Sequence, residues 1–242
     1  MQEWKQAYSL AKLELKASVF GFLFAIIFMM IVILSIVTSL DSYLGNGYAG
    51  FDFFFILIFS IGAIWTKPKD FQIKKISGNL SASPLLVMQK QLPIKQEIII
   101  KSRFIVHFFY SFPFQVLTLF AFYLYSPLQG ILSISSFIAF SIMWLSFGIY
   151  AGYMFPTADA GDKGPFTETT AAVIFAFVLI IGIFFVFSFI HILFGNGIVY
   201  WSIILVQKWP ILSTVVSILL AFAGFKHWQY YMGKRMNRFD YL

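Results

Sequence analysis

The chain has 242 residues, 60% of them hydrophobic, 21% aromatic and 11% charged, with a formal net charge of +7. That composition excludes an ordinary water-soluble domain, and the lack of cysteine excludes disulfides and thiolate metal sites. The basic balance calls for no nucleic acid, since no separate basic domain exists to bind one; anionic lipid headgroups account for it.

The leading stretch "MQEWKQAYSLAKLELK" places Trp4, Tyr8, Ala11 and Leu15 on one helical face and Lys5, Lys12 and Lys16 on an adjoining one. This pattern predicts an amphipathic helix lying in the membrane interface, where Trp and Tyr favour the headgroup region. Apolar runs long enough to cross about 30 Å of hydrocarbon follow at 18–40, 48–66, 104–126, 130–154, 170–194 and 210–230. The runs are continuous rather than alternating, so helices and not barrel strands are expected. The first run is too long and too late for a cleaved signal peptide.

With six spans both termini share one side. That side carries sixteen of the seventeen Lys and Arg residues, and the other carries Lys208. The positive-inside rule therefore predicts cytoplasmic termini. Residues 66–103 form the one sizeable loop, with eight basic residues against Asp70 and Glu97. Within it Ser83-Pro84 is a helix start, Ser as N-cap and Pro at the first helical position. Leu92-Pro93 breaks that short helix, and Pro93 opens a second that runs through "EIIIKSRFIV" into the third span.

The outer loops are short: residues 41–47, and "SPLQG" at 126–130. The inner loop 156–168 is acidic, with Asp159, Asp162 and Glu168 against Lys163, and its Gly and Pro content reads as a turn rather than a folded unit. The stretch 195–210, "GNGIVYWSIILVQKWP", is too short to span and too apolar for a solvated loop. It is expected to form a short helix or re-entrant element in the outer leaflet, with Pro210 opening the last span.

Ionisable groups in the spans are few. Asp52, His107 and His191 fall near predicted span ends, where solvation by water is the plain reading, ahead of a proton relay. Gln115 lies near the middle of a span and acts either as interhelical glue, the plainer role, or as part of a substrate path shared with Asp52. Gly148 and Gly152 form a small-xxx-small pair expected to let two helices approach. No Gly-x-Ser-x-Gly, His-Glu-x-x-His or acidic metal cluster is present, which speaks against an enzyme.

The interfacial leader, six spans, basic loop after the second span and re-entrant element before the last together resemble permease subunits of bacterial ABC exporters, in the type-2 permease superfamily. "LPIKQEIIIKSRF" resembles a stretch common in that family, with Leu92, Pro93, Ile94, Lys95 and Lys101 in the corresponding places, although Lys101-Ser102 reverses the usual order. The closing "YYMGKRMNRFDYL" resembles the family's basic, aromatic tail. The resemblance implies that Ser83, Pro84, Leu85, Leu86, Val87, Met88, Gln89, Lys90 and Gln91 form a coupling helix seated in a groove of an ATPase subunit. It also implies two ATP-binding subunits, a second permease chain, identical or paralogous, and a bacterial plasma-membrane location. The sequence has no Gly-x-x-x-x-Gly-Lys-Ser/Thr phosphate loop, so ATP and Mg belong to the partner and this chain carries no cofactor. Apolar aromatic spans and the lack of an outer domain favour export of an amphiphile, such as a peptide, drug or lipid. A secondary transporter or channel, and a sensor that transports nothing, are the alternatives.

Overall fold

The computed structural model describes residues 2–46, 49–61, 67–68, 71–77, 80–163 and 169–239. Among them the chain forms helices α1 (Gln2–Ala17), α2 (Val19–Asn46), α3 (Ala49–Ile61), α4 (Pro84–Gln91), α5 (Gln96–Tyr125), α6 (Leu128–Ile131), α7 (Ile134–Gly152), α8 (Met154–Ala158), α9 (Thr169–Phe194), α10 (Ile198–Lys208) and α11 (Pro210–Arg238). Three short strands join them: β1 (Lys74–Ser77), β2 (Leu80–Ala82) and β3 (Asp162–Lys163). Residues 62–66 of the expected second span, Lys69, Asp70, Glu168 and the last three residues lie outside the described ones.

Five helices are long and apolar enough to cross a membrane: α2, α5, α7 with α8, α9 and α11. The chain is a multi-pass, predominantly helical membrane protein. α3 has 13 residues and falls short of that length on its own. Its burial shows why it is nonetheless central. Phe51, Phe55 and Phe59 recur every four residues on one face and are almost wholly buried. They meet Phe122 of α5 and Phe140 and Trp144 of α7, with Phe55 edge-on to Trp144 at 4.7 Å. Lipid gives apolar helices little reason to associate, so such shape-matched aromatic pairs, worth about 0.5–1.5 kcal/mol each, supply specificity.

α1 packs side by side with the first half of α5. Glu3 meets Lys101, Ala11 meets Val106 and Tyr110, and Ser18, just past α1, hydrogen-bonds Tyr110. The buried face is Ala7, Ala11 and Glu14, whereas Trp4 and Tyr8 stay half exposed. Of the expected interfacial face Trp4 and Tyr8 thus stay outward, and Ala11 turns toward α5. Small side chains let the two backbones approach, and the aromatic pair is left to face outward.

The acidic inner loop is a folded unit and not a plain turn. It forms α8 and then β3, which extends the β1–β2 hairpin into a three-stranded antiparallel sheet. Leu80 pairs with Lys163 and Ser81 with Asp162. Neither loop contains an alternating apolar run long enough to announce a strand alone; β3 forms because β2 of the basic loop supplies its backbone partners.

Candidate functional site

The end of the bundle that carries the sheet gathers the sequence-predicted residues of α4. Pro84 occupies the first helical position and Ser83 the N-cap, but the Ser83 hydroxyl donates to the Phe71 carbonyl at 3.2 Å instead of capping the helix. Its amide donates to the Asp159 carbonyl at 3.1 Å. The start of α4 is thereby tied to both inner loops at once. At its other end Lys90 donates to the Gln96 side chain at 3.0 Å, and Gln96 donates to the Gly233 carbonyl of α11 at 2.9 Å.

The two faces of α4 differ. Leu86, Val87 and Gln89 are buried, and Leu86 and Val87 share a cluster with Ile99, Ile100 and Phe104 of α5 and Met232 and Met236 of α11. Met88 is 63% exposed and Leu92, just beyond, 53%. Of the segment the resemblance seats in a partner's groove, Leu86 and Val87 are thus covered by their own chain, and Met88 is left outward. The segment's sequence carries no helical alternation sharp enough to assign those inward residues.

Beneath α4 lies a buried charge lattice that sequence reading missed. Arg103 of α5, 1% exposed, places Nη1 2.5 Å from Glu14 of α1 and 3.7 Å from Asp159 beyond α8. Lys67 donates to the other Asp159 oxygen at 2.6 Å. Two acids and two bases therefore offset each other away from water, which lowers the cost of burying any one of them. The sequence signal available was Glu14 itself, an acid at helical spacing from Ala7 and Ala11. Nearer the surface, Lys101 hydrogen-bonds Glu3 at 2.5 Å, and this contact and its charge hold the Glu3 carboxyl below the usual carboxylate range. Asp162 pairs with Arg235 of the tail at 2.6 Å.

Of the three ionisable groups expected near water, Asp52 and His107 are buried and His191 is part-buried. His107 is 6% exposed and set against Gly152, where a Cβ would come within 2.9 Å of its Nε2. Gly148 likewise makes room for Gln115, whose amide donates to the Phe59 carbonyl at 2.8 Å. The two glycines thus make room for polar side chains of α5, and Gly152 also lies close to α3, a Cβ there standing 3.7 Å from the Ser60 carbonyl oxygen. Asp52, 1% exposed, accepts from the Tyr43 hydroxyl at 2.9 Å and from the Val199 amide at 2.7 Å. The Tyr43 oxygen in turn accepts from the Tyr200 amide at 3.0 Å. Asp52 therefore fastens the first turn of α10 to α2 and α3, at the end of the bundle opposite the sheet. Asp52 and Gln115 have separate partners, Tyr43 and Val199 for the one and the Phe59 carbonyl for the other. His191 is part-buried, and its Nδ1 meets no partner among the described residues.

Groups of three or more His, Cys, Asp or Glu suited to a metal are absent among the described residues. Comparison with family models, curated proteins and solved structures returns no match.

Proposed function

We propose that the chain is the membrane subunit of an ATP-driven exporter of the type-2 ABC permease class, with α4 as its coupling helix. Six spans, α2, α3, α5, α7, α9 and α11, would place both termini and the sheet in the bacterial cytoplasm, in keeping with the sixteen-to-one distribution of basic residues. Two ATP-binding subunits, carrying ATP and Mg, and a second permease chain complete the assembly. The cargo is an amphiphile, a peptide, drug or lipid, and α10 sits in the outer leaflet.

The observation that carries this reading is the two-faced character of α4. One face is locked to α5, α11 and both inner loops, so a push on the helix must reach the spans. The other offers Met88 and Leu92, apolar side chains next to a basic surface that would face water. A groove on a soluble partner gives them a place, because burying such a side chain stabilises by about 1.5–3 kcal/mol. The test is a pull-down from detergent of the co-expressed P-loop ATPase with the Met88→Asp, Leu92→Asp double variant, which spares Leu86 and hence the fold. The ATPase is expected to be lost while the apolar helices still insert. Undiminished recovery would remove α4 as the contact.

A further inference from the structure

Beside the charge lattice lies a cavity of about 290 Å³. Its polar wall is Lys67, Gln72, Arg103, His107, Tyr110 and Asp159, and its apolar wall includes Val106 and Phe155. Arg103 is the unusual member. A guanidinium has five N–H donors, yet the contacts of this one run through Nη1; among the described residues Nε and Nη2 meet no acceptor, although the side chain is buried. Donors left unmatched in a buried site are costly; both nitrogens are sealed from solvent, so a ligand meets them only once the Arg103 side chain turns toward the cavity, where the pair suits two oxygens of one ligand.

Asp159 is the weak point of the lattice. Lys67 holds one of its oxygens at 2.6 Å, but the other stands 3.7 Å from Arg103, beyond hydrogen-bonding distance. An anion with three oxygens could take Lys67 and Arg103 together, which this carboxylate does not. The apolar wall and the adjoining apolar spans favour a ligand whose anionic group is attached to a hydrocarbon body. We infer that the cavity binds the phosphate group of an amphiphile, with Arg103 and Lys67 as donors and Asp159 as the carboxylate displaced from Lys67. The Asp159 carbonyl also holds the start of α4 through Ser83, so occupancy of the cavity is linked to the position of that helix.

The inference needs a membrane protein but no ATPase, and it is tested without one. The purified full chain in detergent is titrated calorimetrically with dioctanoyl phosphatidic acid, dioctanoylglycerol and inorganic phosphate. Saturable binding of the phosphatidic acid is expected, with dioctanoylglycerol and inorganic phosphate each about tenfold weaker or more, the loss of roughly one charge-assisted contact or of the apolar contact. Lys67→Met should weaken phosphatidic acid about tenfold, and Asp159→Asn, which removes the competing carboxylate, should tighten it. Arg103→Lys keeps the charge without the fork and should also weaken it. Each variant is compared at matched helicity and elution volume, so a misfolded one is recognised and the other two still decide. Equal binding of dioctanoylglycerol, or affinities unmoved by Lys67→Met and Asp159→Asn, would overturn the site. Inorganic phosphate binding as tightly as the lipid would overturn the amphiphile and leave a free-phosphate site. Because no ATPase is present, none of these results bears on whether α4 couples to one.

Discussion

The molecule buries carboxylates at both ends of its bundle and treats them differently. At the α10 end Asp52 is held by a tyrosine hydroxyl and a backbone amide of the first turn of α10, and Tyr43 receives a second amide in turn. The two amides are fixed by the geometry of a helix terminus, where the dipole also favours a negative charge. At the sheet end Glu14 and Asp159 are held by the side chains of Arg103 and Lys67, and Arg103 keeps two donors unused. One end is a staple and the other a joint. Backbone donors define one arrangement, whereas charged side chains in a poorly solvated pocket permit more than one at similar cost.

The largest expected effect falls on the joint. Arg103→Ala leaves Glu14 buried without its cation and should destabilise the chain by about 3–5 kcal/mol, read as a lower thermal midpoint in detergent. A double variant with Glu14→Leu should recover most of the loss, since an apolar pair can replace a buried ion pair. If Arg103→Ala alone leaves the midpoint unchanged, the lattice is not holding α1 to α5.

Removing the staple should cost less. Asp52→Ala deprives two buried donors of their acceptor, about 1–3 kcal/mol, and Asp52→Asn should keep much of the stability because one carbonyl oxygen can still accept both. The loss should appear as faster amide exchange confined to the first turn of α10. Gly197→Ala should mimic it, because a Cβ there would overlap the Asp52 carboxylate. Uniform acceleration across all helices would show that Asp52 supports the whole bundle and not one junction.

The smallest effect concerns the edge of the joint. Glu3 titrates below its usual value near 4.5 because of its hydrogen bond and charge interaction with Lys101. A depressed folded-state value means the contribution is full above about pH 4.5 and is lost as pH falls through the folded value. Wild type and Glu3→Gln should therefore differ slightly at pH 7 and converge in acid; a gap that persists at low pH would assign the difference to packing instead of charge.

The apolar helices were legible from the chain alone, because crossing hydrocarbon demands an unbroken run whatever its neighbours do, and α2, α5, α9 and α11 each supply one. Legible too was the break at Leu92-Pro93, since proline restricts its own backbone and that of the residue before it. The inward turn of Leu86, the sheet assembled from two loops, and the pairing of Glu14 with Arg103 were not. Each depends on groups far apart in sequence: 89 positions separate Glu14 from Arg103, and 147 separate Asp52 from Val199. Local patterning determines which segments leave water for lipid. Which buried charge meets which partner is decided when helices distant in the chain pack together and each polar group must find a donor or acceptor among them.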